Sequence, residues 1–121
     1  MADERSIKLA AALNRETVNN NITWHVMDAP ETLTIATNDI MQVIYWAKYK
    51  DKKMVIFSRQ YRYYFDEDEW TWAEGLVLSI VSNDFKQIWA DYEESQALRD
   101  LYKTVTKQAS GFNDLLDDLL S

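Results

Sequence analysis

Two long apolar runs separated by a short charged break constrain this chain more than any other feature. The first run spans residues 39–50 and the second spans residues 53–65, and both are dense in Ile, Val, Tyr, Trp and Phe. These residue types are favoured on the pleated, half-buried surface of a β-sheet. Because the break at Asp51–Lys52 is too short for a crossover helix, the runs are predicted to pair as an antiparallel hairpin.

The register of this hairpin stays open, because the break lacks the glycine of a strong two-residue turn. A two-residue loop at Asp51–Lys52 predicts that Trp46 lies opposite Phe57, and it sorts the apolar residues onto two faces. One face holds Ile40, Ile44, Trp46, Val55, Phe57, Tyr61 and Tyr63; the other holds Met41, Val43, Tyr45, Ala47, Tyr49, Met54 and Ile56.

Helical and strand patterns precede the hairpin. Residues 6–14 are rich in helix formers, and either Asp3 or Ser6 is placed to cap the start of a helix there. Residues 22–27 alternate between apolar and polar positions, which is typical of a strand. A second short strand is predicted at residues 32–37.

The chain after the hairpin predicts more strands and then two helices. The strands are expected at residues 70–72, 76–82 and 85–90, with a bulge near Gly75. Asp91 followed by Glu94 fits a capping box at the start of a helix, and Gly111 is suited to end it. A short amphipathic helix with a leucine stripe follows.

Together these elements predict a single α+β domain over residues 1–121. It has an N-terminal helix, a five- to six-stranded antiparallel sheet and two C-terminal helices packed on one face. The predicted core contains Trp24, Ile44, Trp46, Phe57, Leu78, Leu98 and Leu101.

The start and end of the chain carry motifs of their own. Leu13, Thr17, Ile22 and Trp24 form the pattern L-x3-T-x4-I-x-W, and residues 101–120 read LYKTVTKQASGFNDLLDDLL. With these motifs the chain resembles a family of small, mostly uncharacterised bacterial proteins, some of them phage-associated. The resemblance implies a helix–sheet–helix order and implies no catalytic motif.

Composition narrows the classes of function. The net charge of −7 disfavours direct binding to nucleic acid and suits a basic partner. The apolar runs are too short to span a membrane, and the absence of cysteine together with a start unlike a secretory signal favours a cytoplasmic protein.

We find no residues to assign to catalysis, a cofactor or a metal. His25 is the only histidine and no cysteine can join it, so a surface position on a strand is the preferred interpretation. Asp66–Glu69 lacks the spacing and glycine of a calcium loop and is interpreted as a solvated turn. Gly75 and Gly111 are the only glycines, which excludes a phosphate-gripping loop.

Aromatic residues interleaved with arginine are the remaining signal, and they favour a non-enzymatic protein-interaction module of the immunity, chaperone or phage accessory inhibitor kind. Two alternatives remain, an acidic nucleic-acid-mimicking inhibitor and an unrecognised enzyme that uses carboxylates. The interaction face is predicted to include Met41, Tyr45, Tyr49, Met54, Arg59 and Arg62.

A homodimer is also predicted. Three helices readily cover one face of such a sheet, and we expect the second face to stay uncovered or to meet a second copy. That face holds Met41, Val43, Tyr45, Tyr49, Met54 and Ile56. The alternative is a monomer in which the terminal helix folds across this face. Lysines 48, 50, 52 and 53 beside the acidic turn at 66–69 are expected to pair across the dimer axis.

Overall fold

The computed structural model describes residues 3–34, 40–41 and 43–121, and within them every side chain except those of Thr34, Phe112 and Asn113. The elements are α1 (Glu4–Val18), β1 (His25–Asp28), α2 (Glu31–Thr34), β2 (Val43–Tyr49), β3 (Lys52–Tyr64), β4 (Trp70–Val81), β5 (Gln87–Asp91), α3 (Gln96–Ala109) and α4 (Phe112–Leu120). The predicted α+β class, with a five-stranded antiparallel sheet between N- and C-terminal helices, is confirmed.

The sheet is an antiparallel meander in the order β1-β2-β3-β4-β5. The turn between β2 and β3 is formed by Lys50 and Asp51, one residue earlier than predicted, and both have positive φ (50° and 65°). Trp46 therefore lies opposite Val55, and the predicted pairing with Phe57 is wrong. The two turns differ by a two-residue shift in pairing, which leaves the side chains of β2 and β3 on their predicted faces. Ile40 and Met41, which precede β2, are exchanged: Met41 packs against the cluster of Ile44 and Phe57, and Ile40 lies opposite Gln60 on the other side.

Each face of the sheet has its own hydrophobic core. On the helix-side face, α1 and α3 cover Ala47, Met54, Ile56 and Leu78. On the opposite face, a second cluster of buried residues contains Leu33, Ile44, Val55, Phe57, Val77 and Val81. The expectation that Met54 and Ile56 stay uncovered is therefore wrong, because the helices lie on that side, while Met27, Leu33, Met41 and Phe85 contact the other.

The helices α1 and α3 are joined through the residues of the N-terminal motif. The indole Nε1–H of Trp24 donates to Thr17 Oγ1 (2.9 Å), and the Thr17 hydroxyl donates to the Leu13 carbonyl (2.7 Å). The Gln108 amide in α3 accepts from the Trp24 N–H and donates to the Ile22 carbonyl, both at 2.7 Å. The two motif regions thus form one structural unit, and their spacing is explained by packing and hydrogen bonds.

Several local predictions differ from the structure. Residues 31–34 form α2, so a strand over residues 32–34 is wrong; the remainder, residues 35–37, lies outside the described residues. The pairing of β3 with β4 runs without a shift through Gly75, so the predicted bulge is absent there, and a register shift occurs instead near Ile80 on the β5 side.

The capping of α3 also differs from prediction. Ser95 is the N-cap and its Oγ accepts from the Leu98 N–H (3.1 Å), whereas Asp91 is the last residue of β5. Glu94 is left outside the helix, and its carboxylate contacts β4 instead. The roles predicted for Asp3 and Gly111 are confirmed: Asp3 caps α1, and Gly111 follows α3 with φ of 66°.

The last helix, α4, packs little of its surface. Its leucines at 115, 116, 119 and 120 are all exposed. Among the described residues no helix is long and apolar enough to cross a membrane.

Candidate interaction surface

The hairpin formed by β3 and β4 extends beyond the rest of the sheet. On one side, the ladder between β2 and β3 reaches the pair Tyr45–Ile56, and one further bridge joins Ile40 to Gln60. On the other side, the ladder between β4 and β5 ends at Leu78. In the described parts of the chain, residues 61–73 therefore form a two-stranded antiparallel extension, which we call the ribbon.

The helix-side face of the ribbon carries an exposed aromatic cluster around one arginine. Cross-strand pairing places Arg62 opposite Trp72 and Tyr64 opposite Trp70. The guanidinium of Arg62 lies 4.7 Å from the Trp70 ring centroid, and the two indoles meet edge to face at 5.1 Å. Trp70, Trp72 and Tyr64 remain 38%, 46% and 55% exposed. Water thus reaches two indoles whose orientations are fixed by contact with each other and with Arg62.

A second arginine organises the opposite face at the base of the ribbon. The guanidinium of Arg59 lies 4.2 Å from the Tyr61 ring centroid and 4.9 Å from that of Tyr92. Gly75 is directly opposite Arg59, and a Cβ at this position would come within 3.4 Å of Tyr61 Cε1. The glycine therefore provides the room in which the arginine and the tyrosine ring cross β4.

The outer edge of β4 is closed at one point by a side chain. Glu94 Oε1 accepts from the Leu76 backbone N–H (2.8 Å), while Glu94 Oε2 lies 3.3 Å from Arg99 Nη1. The carboxylate replaces the carbonyl that a neighbouring strand would offer. Between Trp70 and Glu74, no described residue provides a backbone partner on this side.

A cavity of about 210 Å³ lies at the base of the ribbon on the helix-side face, lined by Ile40, Val43, Ser58, Gln60, Glu74 and Tyr102. Burial raises the pKa of Tyr102, with smaller contributions from Tyr45 and Glu74. Glu74 Oε1 accepts from the Gln60 amide (3.3 Å) and is the only carboxylate among the described lining residues. Acid–base chemistry by two carboxylates therefore has no basis in this lining.

The structure places the six residues predicted for the interaction face in three regions. Tyr45, Tyr49 and Met54 belong to the helix-side core, Met54 being buried and the two tyrosines partly buried. Met41 packs against the opposite core. Arg59 and Arg62 lie at the ribbon and are brought together with its aromatic residues.

Trp70 and Trp72 were missing from that predicted face. They follow the acidic turn, in which the N–H groups of Phe65 and Asp66 approach the Glu69 carbonyl. The signal that could have identified them is the alternation of Arg62 and Tyr64 with Trp70 and Trp72 across a short turn, since the observed register brings all four to one face and only a one-residue slip would separate the two pairs.

The other candidate groups occupy ordinary positions. His25 is exposed on β1 with its ring centroid 4.6 Å from that of Trp46. Residues 66–69 are all exposed, and no group of His, Asp or Glu among the described residues is arranged to hold a metal ion. Lysines 48, 50, 52 and 53 lie at the opposite end of β3 from the acidic turn, about 40 Å away at the rise of a β-strand.

No protein-family model, curated protein or solved structure matches this chain.

Proposed function

We propose that this protein is a non-enzymatic interaction module that binds another protein through the ribbon. The observation that supports the proposal is the exposure of Trp70, Trp72 and Tyr64 around Arg62 on one face of a projecting hairpin. Tryptophan, tyrosine and arginine dominate the residues that contribute most to protein–protein binding energy.

The geometry of the cluster favours binding over simple exposure. Arg62 contacts both indoles, at 4.7 Å and 5.9 Å, so the rings are held in place before a partner arrives. Side chains that are already ordered lose less conformational entropy when a partner covers them. Removing such rings from water then provides a gain in free energy in proportion to the apolar area that is buried.

Charge indicates the kind of partner. The ribbon ends in the acidic turn at residues 66–69, and the whole chain carries −7. A protein with a basic rim would therefore be attracted to this end of the molecule. Mimicry of nucleic acid has less support, because the ribbon presents Arg59 and Arg62 beside its rings and not a row of carboxylates. A cytoplasmic role of the immunity, chaperone or phage accessory inhibitor kind is part of this proposal.

The experiment compares capture of proteins from the source cells by the wild type and by the double variant Trp70→Ala and Trp72→Ala. We expect a protein that the wild type retains and the double variant loses. The control is Ile88→Ala, which removes an exposed apolar side chain from β5, and it should retain the same protein. Both variants should keep the wild-type circular-dichroism spectrum.

Equal retention by the wild type and the double variant would contradict the proposal. Loss of the partner from the Ile88 control as well would show that the capture depends on general surface hydrophobicity.

A further inference from the structure

The outer edge of β4 at the ribbon is an unpaired strand edge. Gln60, opposite Glu74, exchanges its backbone hydrogen bonds with Ile40, so Glu74 directs its own backbone groups away from β3. Since these groups alternate along a strand, Trp70 and Trp72 direct theirs to the same outer edge. Among the described residues none pairs with them there, so three outward-facing residues present a free ladder about 13 Å long.

The free ladder has a defined end. Leu76 is the next residue whose N–H points outward, and Glu94 Oε1 accepts it at 2.8 Å. Beyond it, β5 pairs with β4 from Leu78 onward. A strand added to this edge would therefore cover the free ladder and leave the sheet at Leu76. Residues 70–75 read WTWAEG, with neither the lysine nor the proline that protects many sheet edges from pairing.

Carboxylates flank the free ladder at both ends. The acidic turn lies at one end, and Glu74 and Glu94 lie at the other. None of the ion pairs among the described residues involves the acidic turn or Glu74. The same edge of a second copy, paired antiparallel, would bring its acidic turn against these carboxylates, and like charges placed opposite each other are destabilising. A strand with Lys or Arg near both of its ends meets opposite charges instead.

We infer that the outer edge of β4 binds an extended segment of a basic partner protein as an added antiparallel strand. The inference rests on the proposed function, for which it names the mode of binding and the sequence pattern of the partner. Antiparallel pairing is slightly more stable per residue than parallel pairing. Each of the three outward-facing residues then exchanges two backbone hydrogen bonds with the partner, roughly six in total.

The free ladder defines the pattern of the partner segment. Alternate residues of an added strand share one face, so its first, third and fifth residues lie beside Glu74, Trp72 and Trp70 in turn. A basic first residue pairs with the Glu74 carboxylate, and apolar third and fifth residues pack against the exposed indoles. A basic seventh residue extends past Trp70 to the acidic turn. On the opposite face Thr71 and Ala73 are small and leave room for the second and fourth residues.

Binding of a heptapeptide to the full chain tests the inference. The probe is Lys-Thr-Ile-Thr-Ile-Thr-Lys with blocked ends, and a nuclear magnetic resonance titration follows the backbone amides of Trp70, Trp72 and Glu74. We expect saturable binding with a dissociation constant of about 1 mM or lower and the largest shifts at these three amides. The same peptide with Glu in place of both lysines should bind at least about tenfold more weakly, because it meets carboxylates at both ends.

Methylation of the peptide backbone separates strand pairing from charge attraction. The N–H of the third peptide residue points to Trp72, and the N–H of the fourth points away from β4. N-methylation of the third residue should therefore raise the dissociation constant about tenfold, since a hydrogen bond is lost and the methyl group obstructs the approach. N-methylation of the fourth residue is the matched control and should change it less than about twofold. The protein is identical in both measurements, so its folding does not enter the comparison.

Two double variants of equal net charge test the role of the acidic turn. Asp68→Asn with Glu69→Gln removes two charges beside the free ladder. Asp51→Asn with Asp84→Asn removes two charges from turns at the other end of the sheet, more than about 30 Å away at the rise of a β-strand. We expect the first double variant to raise the dissociation constant about threefold to tenfold and the second to leave it unchanged, because exposed charges beyond about 8 Å are largely screened at physiological salt.

Four results overturn the inference: no saturable binding at the highest attainable peptide concentration, equal weakening by the two N-methylated peptides, equal effects of the two double variants, or a wild-type dimer that the Trp70→Ala and Trp72→Ala double variant loses. The last result would make a second copy the occupant of the edge. If the peptide does not bind but capture from the source cells still depends on the ribbon, strand addition is wrong and the proposed function stands. If that capture does not depend on the ribbon either, both are removed.

Discussion

At the scale of single residues, the buried Thr17 hydroxyl makes two hydrogen bonds in the core. It donates to the carbonyl of Leu13 one turn earlier and accepts the indole N–H of Trp24. Both Thr17 and Trp24 are 3% exposed, so water cannot replace either bond. These two bonds explain the spacing of the N-terminal motif. Leu13 and Thr17 are one helical turn apart, and Trp24 lies where the chain after α1 brings its indole back to Thr17.

Replacing Thr17 by Val should destabilise the protein by about 1–3 kcal/mol, because the indole N–H of Trp24 is left buried without an acceptor. The matched control is Thr104→Val, whose hydroxyl makes the same type of bond to the carbonyl four residues earlier but receives no donor. Urea denaturation provides the comparison. Equal midpoints for the two variants would mean that the indole bond does not contribute.

Tyr102 predicts a pH dependence with a defined sign. Its pKa is raised, mainly because burial disfavours the phenolate. A group whose pKa is higher in the folded state stabilises that state below its ordinary pKa and loses this contribution as the pH rises through the folded-state value.

The free energy of unfolding should therefore decline above about pH 10, and Tyr102→Phe should show a shallower decline over that range. Denaturation at a series of alkaline pH values measures the difference between the two proteins, which cancels the titration of the other tyrosines. Parallel curves would argue against a raised pKa for Tyr102.

At the scale of elements, the composition of the two long runs predicted the central hairpin and the two faces of its strands. The exact pairing escaped prediction because Lys50 and Asp51 are not turn residues of the favoured type. Both adopt a left-handed backbone that Asn and Gly occupy most readily. The pairing of β2 with β3 holds this turn in place at a local cost in backbone strain.

The positive φ of Asp51 predicts a substitution that stabilises the protein. Asp51→Gly should raise the stability by about 1 kcal/mol, because glycine adopts positive φ without a steric penalty. Asp51→Ala removes the same carboxylate but keeps a Cβ, so it should not stabilise. A thermal or urea midpoint for the alanine variant that matches the glycine variant would assign the effect to charge.

Two other elements show why local patterns were insufficient. Asp91 and Glu94 match a capping box, yet Ser95 starts α3 because Glu94 is needed at the Leu76 N–H, a contact 18 residues away in sequence. Residues 32–34 have strand-like composition, but Leu33 enters the opposite core from a short helix. In both cases a long-range contact outweighs a local preference.

At the scale of the whole molecule, burial is divided between two clusters, one on each face of the sheet. Six of the seven residues predicted for the core are buried, and Trp46 is only partly so. Hydrophobic periodicity was sufficient to predict these core residues, since it indicates which side chains of a helix or strand are buried. The ribbon could be predicted only in part. Arg59 and Arg62 were identified from the sequence, but the length by which β3 and β4 extend beyond β2 and β5 depends on strand pairing, which the sequence of one segment does not determine.

Leucines in α3 and α4 differ in burial, and this difference provides a test of where the core lies. Leu101 in α3 is fully buried, and Leu101→Ala should cost about 2–5 kcal/mol. Leu119 in α4 is 80% exposed, and Leu119→Ala should change the stability by less than about 0.5 kcal/mol. Chemical denaturation of both variants measures the contrast, and a small effect at Leu101 would remove α3 from the core.

The bonds between Gln108 and the backbone at Ile22 and Trp24 also have a consequence for the order in which the chain folds. They join residues 84 and 86 positions apart, so the first helix cannot reach its final place until the third has been made. Closing so long a loop is entropically costly, and topologies of this kind fold slowly. During synthesis, the N-terminal helix must therefore wait for nearly the entire chain, and its apolar stripe stays open to other contacts until then.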